Sequence, residues 1–178
     1  MISTRLLTVL STCASLAMLA GCGSLAQPTH DVRVTLQPTR GSNTAGELTL
    51  SPVAGGIHIK GQVRGLKPGA LHGFHVHEKG DCSAPDALSA GGHFNPHGHT
   101  HGLRGQGAHH AGDLPSLQGN AQGLAEVNII ALGLSLGTQG DDIRGTALVV
   151  HRDPDDGRTQ PTGNSGPRIA CGVIGAAV

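Results

Sequence analysis

The 178-residue chain has no tryptophan, no tyrosine and only two phenylalanines. A surface that stacks nucleic-acid bases on aromatic rings has no material here, and neither has an interface anchored by buried aromatics. Charge is scarce too, at 13% of residues, with 12 basic against 12 acidic. That excludes a strongly basic nucleic-acid binder, whose phosphate contacts need clustered Lys and Arg. No segment beyond the amino terminus sustains a helical period. What is abundant is glycine, with 29 residues, and histidine, with 12, nine of them between His72 and His110. Glycine added to the 37% apolar set makes roughly 53%, enough for a packed core. Histidine is the commonest metal ligand among side chains, so metal binding is the first function to test.

The amino terminus reads as an address. Arg5 precedes an apolar stretch from Leu6 to Ala20 that is short for a permanent membrane span, as in a secretory signal. It closes on Leu19-Ala20-Gly21-Cys22, which resembles a bacterial lipobox. The expected organisation is a signal over 1–21, a lipidated Cys22 opening a tether over 22–30, and one domain over 31–178. Ser24, in place of an acidic residue, points to the outer membrane. Ordinary cleavage after Ser24-Leu25-Ala26 is the alternative, leaving a soluble periplasmic protein. Export also places the remaining cysteines, Cys82 and Cys171, in an oxidising compartment, where a disulfide is the default. Closing that loop would stabilise the fold by about 4–5 kcal/mol on the chain-entropy account.

The body reads as strands joined by long loops. Val32–Leu36, Glu47–Leu50 and Ile57–Val63 alternate apolar and polar residues. Further strands are expected at Ala70–His77, Gly123–Ile129, Gly145–His151 and Ile169–Ile174. Gly55-Gly56 and Pro68-Gly69 punctuate them. Short strands with Gly/Pro turns predict an all-β sandwich or barrel. Gly80–Gly119 and Arg152–Pro167 fit no strand, and loops that long in a compact domain are usually functional.

Chemistry concentrates on those loops. His75 and His77, two apart on a strand, project from one face and can share a metal. His93, His101, His110 and Asp113 supply nitrogen and oxygen donors of the kind zinc takes. His151 ends a strand and can complete a nitrogen-rich set suited to copper(II).

These motifs resemble the copper-zinc superoxide dismutase family. The matching segments are Gly73-Phe74-His75-Val76-His77-Glu78, Gly91-Gly92-His93-Phe94-Asn95-Pro96, Ala111-Gly112-Asp113-Leu114, Gly145–His151 and Gly163–Gly175. The insertion Ser83–Ala90 and Pro115 look like the bacterial branch. The resemblance covers about Val32 to Gly175. It implies an eight-stranded Greek-key barrel. It implies copper on His75, His77, His93 and His151, zinc on His93, His101, His110 and Asp113, and His93 bridging the two metals. It implies a Cys82–Cys171 disulfide, and Asp155 linking copper and zinc ligands by hydrogen bonds. Superoxide would be the substrate, converted to dioxygen and hydrogen peroxide by copper redox cycling. His93 would carry a proton and Arg168 would bind the anion. The implied place of work is the bacterial periplasm, with a membrane contact only through the lipid anchor and no nucleic-acid partner.

Other residues depart from that pattern or leave alternatives open. His97, His99 and His109 are extra, either capturing metal or forming a solvated loop, and His99 or His109 could replace His101 or His110 on zinc. His72 reads as structural, His58 as a solvent-facing strand residue and His30 as part of the tether. Arg104, Arg158 and Lys79 are candidates for steering the anion. Monomer and homodimer both remain open. A copper-delivery domain without turnover and a His-rich metal store are the competing functions, and the presence of Arg168 and Asp155 counts against both.

Overall fold

The computed structural model describes residues 31–137 and 141–175. The signal, Cys22, the tether and His30 lie outside the described residues. Among the described residues eleven strands run in chain order, with one short 3-10 turn at Leu88–Ala90: β1 (Val32–Pro38), β2 (Ala45–Val53), β3 (Gly56–Arg64), β4 (Leu71–His72), β5 (Phe74–His77), β6 (Leu117–Gln118), β7 (Ala125–Leu132), β8 (Leu134–Ser135), β9 (Asp141–Asp142), β10 (Ala147–His151) and β11 (Arg168–Val173).

Seven of them form one curled sheet in the order β5-β10-β11-β1-β2-β3-β7, with two-stranded ladders β4-β6 and β8-β9 beside it. β1 joins the two halves: Val32–Leu36 pairs with β2, whereas Gln37 and Pro38 pair with β11. The all-β expectation is thus met, and alternation explains the register. Val34 and Leu36, Leu48 and Leu50, and Ile57, Ile59 and Val63 turn inward to one core, while their neighbours face out. The expected strand Ala70–His77 is divided at Gly73, whose N–H donates to Asp153 O at 2.9 Å and whose carbonyl accepts from His151 N at 2.8 Å.

The half-sheet β5-β10-β11 positions the site. β5 and β10 are buried on both faces, so apolar residues do not alternate with polar ones along β10. Phe74, Val76, Leu148, Val150 and Ala170 join the barrel core. The opposite face carries His75, His77, Ala147, Val149 and Cys171, in register as His75↔Val149↔Cys171 and His77↔Ala147. A small second cluster, Ala87, Ala90, Ala147, Val149 and Cys171, lies under the first long loop. The Cys82–Cys171 disulfide, with Cα atoms 5.8 Å apart, fastens that loop to β11.

Candidate metal centre

The first long loop is irregular but pinned. Val76 N donates to Gly112 O, Phe94 N to Val76 O and Gly112 N to Phe94 O, each at 2.8 Å. These bonds set His93 opposite His77 and Asp113 opposite His75 as isolated bridges. From the other side His151 ends β10, and the second loop returns through Arg152 N to Pro167 O and Asp153 N to Ser165 O. Strand alternation presents two imidazoles, and backbone pairing brings the others to them.

Two buried groups result: His75, His77, His93 and His151, and His93, His101, His110 and Asp113. Within each group one ligand atom per residue lies within 4.8 Å of all the others. Hydrogen bonds fix which nitrogen faces inward. His77 Nδ1 donates to Gly91 O at 2.9 Å and His151 Nδ1 to Gly166 O at 3.1 Å. That leaves their Nε2 lone pairs facing each other, 3.3 Å apart. His75 Nε2 donates to Asp155 Oδ2 at 2.7 Å, which frees Nδ1. Asp155 Oδ1 accepts from His101 Nε2 at 2.9 Å, so one carboxylate orients a ring in each group. Gly163, with φ +65, makes room for it: a Cβ there would fall 2.0 Å from Asp155 Oδ1.

His93 belongs to both groups. Its Nδ1 lies 2.8 Å from Asp113 Oδ1 and 3.4 Å from His110 Nδ1. Its Nε2 is buried with no hydrogen-bond partner, as are His75 Nδ1 and His101 Nδ1. His101 Nδ1 is 3.1 Å from Asp113 Oδ2, close but out of line for a hydrogen bond. Each buried unpartnered polar atom costs about 1–3 kcal/mol. Lone pairs that converge while separated by 3.1–3.4 Å match the edge, about 3.3 Å, of a tetrahedron with bonds of about 2.0 Å. The donors therefore fit metal ions.

Electrostatics agree. Burial pushes His75 down to about 4 and His151 to about 3, and it also lowers His77 and His110. These rings are neutral near pH 7, the form that binds metal. Burial alone would raise Asp113, but hydrogen bonds from His93 and from the His110 backbone outweigh it and hold the carboxyl well below its ordinary value. Asp155 is lowered in the same way, with burial outweighed by bonds from His75, the Gly157 backbone and His101.

Arg168 begins β11 and reaches over the loop, donating to Ala87 O and Gly91 O at 2.5 Å each. Gly91 O thus accepts from both His77 and Arg168, a link that nothing in the sequence announced. Arg168 and His151 line a cavity of about 430 Å³ together with Arg40, Asp86 and Thr162. His72 donates from Nδ1 to His151 O at 2.9 Å and accepts Lys67 N at 3.2 Å, a structural role. His58 lies within 2.6 Å of Asn128 Oδ1 across the sheet. The Arg104 guanidinium donates to Asp113 O, Leu132 O and Ala111 O, holding the loop from behind. His97, His99 and His109 stay outside both buried groups.

Comparisons with known proteins agree with this geometry. A family model described as copper/zinc superoxide dismutase matches residues 44–174. Superoxide dismutase [Cu-Zn] 2 of Aquifex aeolicus (strain VF5) is 42% identical over 140 residues, 74% of this chain and 82% of that protein. Superoxide dismutase [Cu-Zn] of Caulobacter vibrioides is 43% identical over 136 residues, 73% and 78% of the two chains. The crystal structure of a SOD-like protein from Bacillus subtilis superposes with a TM-score of 0.73 at 40% identity, covering 80% of this chain and 97% of that one.

Proposed function

The chain belongs to the copper/zinc superoxide dismutase family, and we propose that it converts superoxide to dioxygen and hydrogen peroxide in the bacterial envelope. It is an oxidoreductase whose cofactors are copper and zinc. His75, His77, His93 and His151 would hold copper, since four imidazoles suit copper(II). His93, His101, His110 and Asp113 would hold zinc, three nitrogens and an oxygen being an ordinary zinc set. The observation that carries this reading is His93, whose two ring nitrogens serve two different groups.

When bound, copper supplies one-electron redox chemistry and zinc a fixed positive charge without redox chemistry. The chain's own residues do the rest. Arg168 is a permanent cation beside the cavity that reaches His151, and it draws an anionic substrate inward. Gly91 and Gly166 carbonyls keep His77 and His151 in one tautomer. His93 Nε2 is the atom at which a proton is held and passed on, since Nδ1 is committed to the Asp113 side. Over a full cycle two superoxides and two protons become one dioxygen and one hydrogen peroxide.

We also propose that Cys22 is lipidated and anchors the enzyme in the periplasm, on the strength of Leu19-Ala20-Gly21-Cys22 after the apolar run. The test of function is superoxide decay by pulse radiolysis on protein loaded with copper and zinc, with occupancy measured in the same sample. No acceleration at full occupancy refutes the reading. Mass spectrometry of the membrane fraction checks the anchor, and a mature terminus at Gln27 in a soluble extract refutes it.

A further inference from the structure

Three histidines of the first long loop take no part in the two buried groups. His97, His99 and His109 line one cavity of about 200 Å³ on the outer side of the loop, together with Asp141 and Arg104. His97 Nε2 sits 2.8 Å from Asp141 Oδ1. The His97 and His99 ring centroids are 5.7 Å apart. In the buried groups His77–His151 and His93–His110 stand at 5.4 Å and His101–His110 at 5.5 Å. The outer rings have a comparable spacing, but their donor atoms are not gathered within 4.8 Å of one another as in the two buried groups, so the side chains must turn to meet one ion.

The tautomer device recurs as well. His109 Nδ1 donates to Gly107 O at 2.8 Å, and His99 Nδ1 lies 3.3 Å from His109 O. Each bond leaves the Nε2 of that ring to face elsewhere. Asp141 stands to His97 as Asp155 stands to His75, a carboxylate behind an imidazole. Arg104 puts a positive charge on the same cavity, but its donors are turned onto three backbone carbonyls, and Asp141 offsets its charge.

We propose that His97, His99 and His109, oriented by Asp141, form a third metal site that binds one divalent cation of the zinc class from solvent. Nitrogen donors select zinc-like ions over calcium or magnesium. Ring exposure makes the site weaker than the buried pair: the His97 side chain is 54% accessible, and its rotamers interconvert rapidly until a metal holds them.

The experiment uses protein already carrying both resident metals, dialysed against zinc buffered up to about 10 μM, with copper and zinc per chain measured by mass spectrometry. The expected result is one further zinc per chain in the parent, absent in the His97→Gln/His99→Gln double variant, whose resident copper, resident zinc and melting temperature stay at parent values. Asp141→Asn should weaken the third zinc about tenfold, the usual effect of losing a carboxylate behind a ligating histidine. No further zinc in the parent overturns the proposal, and so does a third zinc that survives in the double variant. Loss of resident zinc from the double variant also overturns it, because these rings would then belong to the buried centre.

Discussion

Replacing Arg168 by alanine separates two jobs that the structure gives one side chain. The guanidinium holds the loop through Ala87 O and Gly91 O, and it places a positive charge on the cavity beside His151. At an effective dielectric of about 20, a charge about 6 Å from a bound anion is worth about 2.8 kcal/mol. Solvent at the mouth reduces that, so the rate constant should fall on the order of ten- to a hundredfold. The two charge-assisted hydrogen bonds contribute about 1.5–3 kcal/mol each before relaxation, and their loss should lower the melting temperature. Arg168→Lys keeps the charge but cannot span both carbonyls. It should recover rate better than it recovers stability. The assay is superoxide decay by pulse radiolysis against ionic strength, for all three proteins at matched copper content. The parent's rate should fall with salt and the alanine variant's should fall less. Equal rates in all three proteins at full occupancy would remove Arg168 from the mechanism.

Asp113→Ala should cost zinc before copper, measured as metal content after dialysis. It also leaves the His110 and Gly102 backbone N–H groups, now 2.8 and 3.2 Å from Asp113 Oδ2, without an acceptor, so Asp113→Asn should recover stability but not zinc affinity. Metal-free protein should lose stability as pH falls. His75 at about 4 and His151 at about 3 lie below their ordinary 6.5, so their contribution is complete above pH 6.5 and is lost toward 4 and then 3. For His75 alone this amounts to about 3 kcal/mol, and a urea midpoint that does not move between pH 7 and pH 4 would refute it. Cys82→Ser opens the 89-residue loop and should destabilise the protein by up to about 4–5 kcal/mol, read as a shift in the denaturant midpoint that reductant no longer enlarges.

The strands with a solvent-facing side were legible because burial imposes a period of two on them, as in Ile57, Ile59 and Val63 of β3. β10 and β5 are buried on both faces and carry no such period, although both fall within expected strands, Gly145–His151 and Ala70–His77. β6, β8 and β9 were not legible, since two residues carry no period. The side chains of the two buried groups could be named from spacing and resemblance. What the spacing does not contain is the set of carbonyls that orient them. Gly91 O and Gly166 O are backbone atoms, supplied by residues whose side chains say nothing. Arg104 is a second case: the direction of its guanidinium is set by Asp113 O, Leu132 O and Ala111 O, which its charge alone does not reveal. The disulfide followed from counting cysteines, whereas the clamp that Arg168 adds over the same loop segment is visible only in three dimensions.

The two long loops are coupled through one carboxylate and one amide: Gln160 Oε1 accepts from His101 N at 2.9 Å and Gln160 Nε2 donates to His101 O at 3.0 Å. Asp155 lies on the second loop and accepts from His101 on the first loop and from His75 on β5. Gly163 packs against it so closely that no side chain fits. Ordering the first loop therefore fixes His101, which fixes Asp155, which turns His75 so that Nδ1 faces the group it forms with His77, His93 and His151. The reverse path runs through His93, shared by both groups. Every step is a hydrogen bond or a shared ring between buried atoms, where leaving a partner unmade is costly. The geometry of the two groups is consequently a property of one network, in which the His75 and His101 rings also meet edge to face with centroids 6.0 Å apart.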